Sequence, residues 1–229
     1  MNSRCMVCIL ALVLLQWMGC HSTRATADGP ARHSPANTMK TADEAAQKAL
    51  AALPQLAQTN TYRGMGFASI EEARSAQLGA AIPRKIVSYV ELLKYQPGVP
   101  LSRLFTGDEE MVYPFQIGST TKSTTAVSKK EGAWHIASVG DAYLARVMSA
   151  APEQPQRLHI ISVPGLSLDF AGTPHGEDWE LFPAQDYPEL DVTRGRPIRA
   201  EELLPRLSNY AKNFEKQYGD QIRKRRLVK

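Results

Sequence analysis

Ser119 and Lys122 are the residues of this sequence whose types and spacing come nearest to nucleophilic catalysis. A lysine amine that lies one helical turn from a serine hydroxyl can take its proton and make the oxygen a nucleophile. The segment after Ser119 is rich in threonine and serine and leads into a predicted hairpin, so we expect a strand there. Residues three apart on a strand face opposite sides, and Lys122 would then not reach Ser119.

The same segment resembles a known catalytic signature. Residues 115–126 look like the Ser-x-x-Lys segment of the penicillin-recognising serine enzymes. The resemblance implies a small serine hydrolase with Ser119 as nucleophile and Lys122 as base. No Lys-Thr-Gly or Ser-Asp-Asn follows, and the rest of the chain is short for that fold. We therefore keep the hydrolase as the alternative and predict that the domain is not an enzyme.

Serine, histidine and aspartate, the residue types of catalytic triads, offer a second set of candidates. Ser167, His159 and Asp169 form one combination, and His135 with Asp141 forms another. The sequence lacks the Gly-x-Ser-x-Gly turn that presents the nucleophile of α/β hydrolases. Both histidines fall on predicted strands, where a structural histidine is the commoner case. We predict no catalytic triad.

Metal and cofactor sites are not predicted either. His175-Gly176-Glu177-Asp178 has the side-chain types of a metal site but lacks a second histidine at a known spacing. His21 and His33 are isolated in a polar segment, where we expect solvated side chains. The phosphate-binding signatures G-x-x-x-x-G-K-[ST] and G-x-G-x-x-G do not occur.

Residues 1–20 have the layout of an export signal. Arg4 precedes an apolar run from Cys5 to Leu15, and the small residue Gly19 stands just before Cys20. The run is shorter than the roughly 20 apolar residues that span a bilayer. A polar segment follows at once, so we predict a removed or lipid-linked signal rather than a permanent membrane anchor.

Met18-Gly19-Cys20 resembles the lipobox of bacterial lipoproteins, in which a small residue precedes the cysteine that becomes the acylated N-terminus. Gly19 and Cys20 match, whereas Trp17 stands where that family usually has leucine. The resemblance implies lipidation of Cys20, with palmitate among the acyl chains, and stable anchoring by two or more chains. Because His21 rather than aspartate follows, it also implies an outer-membrane protein that faces the periplasm in a diderm cell.

Cysteine usage fits export. All three cysteines, Cys5, Cys8 and Cys20, lie in the leader. Cys5 and Cys8 lie within the apolar run, and we expect them to be discarded with the signal. Acylation of Cys20 would leave the mature chain without a free thiol. That suits an oxidising compartment and excludes thiol catalysis and cysteine metal sites.

Positive charge is concentrated at the end of the chain. The sequence has 27 lysines and arginines against 23 aspartates and glutamates, and five of the cations lie in 223–229. Two interpretations of Arg223, Lys224, Arg225 and Arg226 stay open: contact with anionic lipid or an envelope polymer, or a solvated tail. Nucleic acid is not expected as a partner of an exported protein.

Two capping boxes predict the helices of the N-terminal half. Thr41 with Glu44 starts one, whose alanine-rich face we expect to pack in the core or dock, and Pro54 is expected to weaken or end it. Residues 69–72 start a second helix, which Gly79 is placed to stop.

Strand and turn signals dominate the middle of the sequence. Met111–Ile117 and Thr121–Ser128 are predicted strands, and Lys130-Glu131-Gly132 turns the second into an antiparallel hairpin with Trp134–Val139. Strict alternation would place Trp134, Ile136 and Ser138 on one face, and His135, Ala137 and Val139 on the other.

Periodicity and caps suggest the remaining elements. The segments are a strand at Lys85–Tyr95, a helix from Asp141 through Met148, strands at Arg157–Val163 and Leu166–Phe170, a loop-rich stretch over 171–199, and a helix at Glu201–Tyr218. Gly219 is expected to end that last helix, and Pro205 is expected in its first turn.

Together these signals predict an α+β fold: one compact domain, with an antiparallel sheet, a central hairpin and packed helices. The expected divisions are a signal (1–20), a tether (21–40), an N-terminal helix and connector (41–61), the α+β domain (62–222) and a basic tail (223–229). We predict a lipid-anchored envelope protein with a non-enzymatic binding or structural domain. Its expected partners are the membrane and an envelope protein, anionic lipid or polymer.

Overall fold

Short capped helices and alternating strands follow one another along the chain. The computed structural model describes residues 39–58, 61–151 and 157–226, with side chains as far as residue 220. The helices are α1 (Ala42–Ala57), α2 (Ile70–Arg74), α3 (Tyr89–Leu93), α4 (Ala142–Met148) and α5 (Ala200–Arg226). The strands are β1 (Gln77–Leu78), β2 (Ile82–Ile86), β3 (Glu110–Ile117), β4 (Thr120–Lys130), β5 (Ala133–Val139), β6 (His159–Val163), β7 (Leu168–His175), β8 (Asp178–Pro183) and β9 (Ile198–Arg199). The predicted signal with Cys20, the tether as far as residue 38, and residues 227–229 lie outside the described residues.

The strands form one sheet in the order β5-β4-β3-β2-β6-β7-β8-β9, with β1 paired to β3. Among the described strands, every pair is antiparallel except β2 with β6. Parallel neighbours need a long crossover, and here the chain makes it through β3, β4, β5 and α4. The predicted α+β fold is confirmed, but the hairpin that was predicted to be central, β4 with β5, lies at one edge of the sheet.

Helices cover both faces of this sheet. α1 packs on β3, β4 and β5, and α3 and α5 pack on the same face further along, over β6, β7 and β8. α4 packs on the opposite face. Successive strand residues alternate between the two layers, as the pleat requires: Tyr113 and Val127 face α1, whereas Val112 and Ala126 face α4.

Helix α1 belongs to the core. The predicted capping box is confirmed, because Thr41 Oγ1 accepts the Glu44 N–H at 3.1 Å and Glu44 Oε2 accepts the Thr41 N–H at 3.3 Å. Its buried residues are Ala45, Ala46, Ala49, Leu53 and Ala57. The helix continues past Pro54 to its end at Ala57, so it does not end at Pro54. A proline inside a helix removes one backbone hydrogen bond and crowds the carbonyl of the residue four positions earlier.

The predicted hairpin is confirmed, and a bulge changes one of its faces. β4 and β5 pair antiparallel around Glu131-Gly132. The register shifts between Ala126 and Val127, so Ala137 is the extra residue. Val139 therefore packs in the same cluster as Ile136, and the prediction that it shares a face with His135 is wrong.

Two stretches differ from their predicted state. The predicted strand over Lys85–Tyr95 is wrong beyond Ile86, because Ser88 caps α3 by accepting the Glu91 N–H at 3.3 Å. The loop-rich prediction for 171–199 is wrong as far as residue 183, because β7 continues to His175 and pairs with β8. It holds for residues 184–197, which connect β8 to β9 with one short 3-10 turn at Pro188–Leu190. Trp179 and Leu181, two positions apart on β8, both pack towards α5, and this burial stabilises a strand in spite of the turn residues around it. The predicted Asp141–Met148 helix is confirmed, with Asp141 as its cap.

Helix α5 is longer than predicted. It begins at Ala200, which places Pro205 beyond the first turn, and it runs through Gly219 to Arg226. Gly219 therefore does not end the helix, and Arg223 to Arg226 continue it as backbone; their side chains lie outside the described ones. In the part of the chain that the structure describes, no helix combines the length and apolar character needed to cross a bilayer.

Candidate functional site

Ser119 and Lys122 lie in a hairpin, not on a helix. Ser119 is exposed in the two-residue turn between β3 and β4, where Gly118 has the positive φ of 58° that starts such a turn. Lys122 lies on β4, and its Nζ pairs with Glu72 Oε1 at 3.2 Å. The strand that the sequence favoured is confirmed. The lysine is engaged by a carboxylate instead of the serine hydroxyl.

The predicted serine, histidine and aspartate combinations are not brought together. His159 pairs with Gly172 at one end of β6, and Ser167 follows the other end, roughly 13 Å away at the usual rise of a strand. Asp169 faces the side of the sheet opposite His159. His135 is exposed on β5, and Asp141 accepts the Leu144 N–H at 2.9 Å as a helix cap.

His159 is a structural histidine. Its ring meets the Trp179 ring edge-on with centroids 4.9 Å apart, and its Nδ1 lies 3.1 Å from the Arg157 carbonyl oxygen. Burial lowers the pKa of His159 below its ordinary value, and the nearby Lys85 acts in the same direction. The ring is therefore held as neutral imidazole in the folded protein.

Arg84, in the middle of the sheet, is the centre of a polar network that sequence reasoning missed. Arg84 Nε donates to Ser162 Oγ at 2.7 Å, and its two terminal nitrogens lie 3.3 Å from Asp169 Oδ1 and 3.5 Å from Glu110 Oε2. Ser162 is fully buried and donates to Asp169. A serine that is already donating inside a buried ion network is a structural group and not an accessible nucleophile.

Tyrosine hydroxyls extend the polar contacts on both faces. The hydroxyls of Tyr143 and Tyr187 lie 2.8 Å apart, and burial raises the pKa of Tyr143 above its usual range. Tyr113 donates to Asp43 Oδ1 at 2.5 Å, and burial likewise raises its pKa. Both hydroxyls therefore stay protonated at neutral pH. Tyr113 donates to Asp43, and in the hydrogen bond between Tyr143 and Tyr187 either hydroxyl can be the donor.

The 175–178 segment is the hairpin turn between β7 and β8. Asp178 Oδ2 lies 3.3 Å from Arg199 Nε and accepts the Glu201 N–H at 3.3 Å, which ties it to the start of α5. His175 is exposed. Within the described residues, no three histidine, cysteine, aspartate or glutamate side chains are close enough to hold a metal ion together.

One cleft among the described residues lies beside Trp134. It measures about 550 Å³ between the start of α1 and the 106–110 segment, and Trp134, Tyr113 and Met111 contribute its aromatic and apolar wall. Four carboxylates (Asp43, Asp108, Glu109, Glu110) and two cations (Arg84, Lys85) line it as well. Trp134 thus packs against α1 and also borders open space, but the mixed charges favour no single ligand class.

In another cleft, all of the charged lining residues are positive. It measures about 470 Å³, and we call it the cationic cleft; it is lined by Gly66, Thr121, Lys122, Ala142, Ala145, Arg146, Ser149, Ala150, Pro183, Ala184, Arg194 and Gly195. Lys122, Arg146 and Arg194 are its charged residues, and no carboxylate is among its lining residues. Alanine and glycine supply much of the remaining wall, which leaves room for a small ligand.

Two of the three cations of the cleft, Lys122 and Arg146, are positioned by a neighbouring side chain. Lys122 pairs with Glu72, whose pKa is lowered chiefly by a hydrogen bond from the Ala68 N–H, so the carboxylate stays ionised. The Arg146 guanidinium lies over the Tyr143 ring, 5.6 Å from its centroid.

The loop that carries Arg194 is held at two points. The Arg194 N–H donates to Asp186 Oδ1 at 2.7 Å, and the Gly195 N–H donates to the Pro183 carbonyl oxygen at 3.0 Å. The backbone beside the cleft is therefore fixed while the guanidinium of Arg194 remains exposed. Nothing in the sequence signals this cleft, because its cations come from β4, α4 and the loop after β8.

Cys20 lies outside the described residues, and so do the side chains of Arg223, Lys224, Arg225 and Arg226. The chain matches no family model, no curated protein and no solved structure at a significant level.

Proposed function

We propose that this protein is a lipid-anchored envelope protein whose α+β domain binds a partner and performs no covalent chemistry. The observation that carries the binding role is the cationic cleft, a concave site with three cations and no lining carboxylate. Its size lies within the range of small-ligand sites, about 300–1,000 Å³. The separation of Ser119 from the engaged Lys122 supports a domain that is not an enzyme.

Anchoring is proposed from the leader alone. The Gly19-Cys20 pair matches the lipobox pattern, and lipidation of Cys20 would place the domain at the cell envelope, on the periplasmic side of the outer membrane in a diderm cell. The test is the intact mass and detergent partitioning of the protein from its native host, beside Cys20→Ser. We expect an acylated N-terminus at Cys20 that the variant lacks. A soluble chain that starts beyond Cys20, or an uncut leader, would contradict the proposal.

A covalent probe tests the absence of hydrolase chemistry. The full chain is incubated with a fluorescent penicillin and with a fluorophosphonate, in parallel with Ser119→Ala and the control Ser102→Ala, another exposed serine. We expect equal background labelling of all three proteins, because Lys122 Nζ contacts Glu72. Labelling that only Ser119→Ala abolishes would establish the serine hydrolase instead.

A further inference from the structure

We propose that the cationic cleft binds a small ligand through a phosphate group, with Arg146 and Arg194 as the principal contacts. This inference rests on the binding role proposed above and names its ligand class. Phosphate binding does not depend on lipidation of Cys20, so either of these two proposals can be wrong while the other holds.

Charge balance selects the ligand class. Of the three cations, Lys122 is already neutralised in part by Glu72, at 3.2 Å. Two arginines then remain for a ligand, and a phosphate monoester carries about −1.5 to −2 charges at neutral pH. A monocarboxylate would leave one arginine without a counter-charge. The planar guanidinium is also the side chain that binds phosphate oxygens in a bidentate manner.

The walls of the cleft support a preformed site. Arg146 is held against Tyr143, and the backbone at Arg194 is held by Asp186, so little order is lost when a ligand binds. The chain outside residues 223–229 is close to neutral, because 22 lysines and arginines remain there against the 23 carboxylates of the whole chain. The cleft is thus a local concentration of positive charge rather than part of a generally basic surface.

The test measures phosphate binding with the full chain in a non-ionic detergent. Glycerol 3-phosphate and inorganic phosphate are titrated by calorimetry into the wild type, R146Q/R194Q and the matched control R103Q/R196Q. Arg103 and Arg196 are exposed and do not line the cleft, and Arg196 lies in the same loop as Arg194. Circular dichroism melts confirm that the variants fold alike.

We expect the wild type to bind glycerol 3-phosphate, and R146Q/R194Q to bind it on the order of tenfold or more weakly. The control should stay within about twofold of the wild type. Raising the salt concentration should weaken binding, because the arginines are exposed. The proposal would be overturned by equal losses in the two double variants or by equally tight binding of acetate. It would also be overturned if neither phosphate probe binds, unless the wild type binds the vesicles described next.

A vesicle arm distinguishes a free phosphate ester from a lipid headgroup. Phosphatidylcholine vesicles with and without phosphatidic acid are sedimented, without detergent, with the same three proteins produced from residue 21 onward. Neither the leader nor an acyl chain at Cys20 then contributes to vesicle binding. Binding to phosphatidic acid that R146Q/R194Q loses, without binding of the soluble esters, would support the proposal with a headgroup as the source. If R146Q/R194Q still binds the vesicles, and the soluble esters do not bind, the proposal is overturned. Residues 223–229 would then be the expected site of membrane contact.

Discussion

Arg84 is accommodated in the middle of the sheet because side chains on the neighbouring strands accept hydrogen bonds from its guanidinium and balance its charge. β2 lies between β3 and β6, so Glu110 and Ser162 approach from either side, and Asp169 reaches it from β7. The side chains of Arg84 and Glu110 are each 20% exposed and that of Asp169 is 14% exposed. At this burial, removing one partner of an ion pair lowers the free energy of unfolding by more than the intact pair contributes to it.

Replacing Arg84 tests this network. In Arg84→Met the carboxylates of Asp169 and Glu110 lose their cation, and we expect the free energy of unfolding in urea to fall by about 2 kcal/mol. The control Arg103→Met, at an exposed position, should change it by less than about 0.5 kcal/mol. Equal effects of the two substitutions would show that the network contributes nothing particular to stability.

His159 makes stability depend on pH in a definite direction. Its pKa in the folded protein is lowered by burial, so the unfolded chain takes up a proton first, near the ordinary value of about 6.5. Protonation then favours the unfolded state as the pH falls below that value. Above it, both states hold neutral imidazole and His159 adds no pH dependence.

We expect His159→Phe to lose less stability than the wild type between pH 7 and pH 5, measured by urea denaturation at both pH values. Phenylalanine keeps an aromatic ring beside Trp179 but has no proton to bind. The control His135→Phe replaces an exposed histidine and should keep the wild-type dependence. Parallel pH profiles of all three proteins would contradict the role given to His159.

At the scale of elements, Gly66 joins the first helices to the sheet. Its φ is 93°, and a Cβ built there would lie 2.1 Å from the Lys122 carbonyl oxygen. The segment between α1 and α2 thus passes directly over β4, next to the cationic cleft. Only glycine permits both this backbone conformation and this approach.

Gly66→Ala and Gly98→Ala form a matched pair. Gly98 has nearly the same φ, 90°, but a Cβ at that position would have nothing within 4 Å. We expect Gly98→Ala to cost about 1 kcal/mol for the left-handed backbone alone, and Gly66→Ala about 3 kcal/mol or more, in thermal or urea unfolding. Similar losses in both variants would mean that the segment around Gly66 moves away from β4 without cost.

At the scale of the whole molecule, the end of the chain carries a concentration of positive charge. Five of the 27 lysines and arginines lie in 223–229, and the backbone of α5 reaches Arg226. We propose that these charges strengthen adhesion to an anionic membrane surface, where each charge contributes about 1 kcal/mol.

Deletion of residues 223–229 tests this adhesion. We expect unchanged thermal unfolding, because the core residues of α5 end at Ala211 among the described side chains. The comparison uses chains that start at residue 21, so that neither the leader nor an acyl chain holds them on the vesicles. Their sedimentation with vesicles that contain phosphatidylglycerol should fall steeply on deletion, and 0.5 M salt should have the same effect on the undeleted chain. Substituting glutamine for the four consecutive basic residues is the charge-only control. Unchanged or salt-insensitive binding would leave these residues as a solvated end.

Local signals were sufficient for elements whose cause is local. The Thr41 and Asp141 caps, the turn at Glu131-Gly132 and the strand after Ser119 were all predictable, because a cap or turn depends on residues within a few positions of each other. The same logic failed over Lys85–Tyr95, where Ser88 starts a helix inside a run of strand-forming residues. It failed again over 171–183, where pairing with β7 and packing on α5 outweigh the turn residues around Trp179.

By itself, the sequence determined the α+β class, the hairpin of β4 and β5 and the strand state that separates Ser119 from Lys122. Only the tertiary structure decided the parallel pairing of β2 with β6, the Arg84 network and the cationic cleft. Arg84, Ser162 and Asp169 are neighbours solely because of sheet order, and Lys122, Arg146 and Arg194 meet because three distant segments pack together. Charge convergence across such separations leaves no spacing pattern in the chain, since the contacts form in space and not along the sequence.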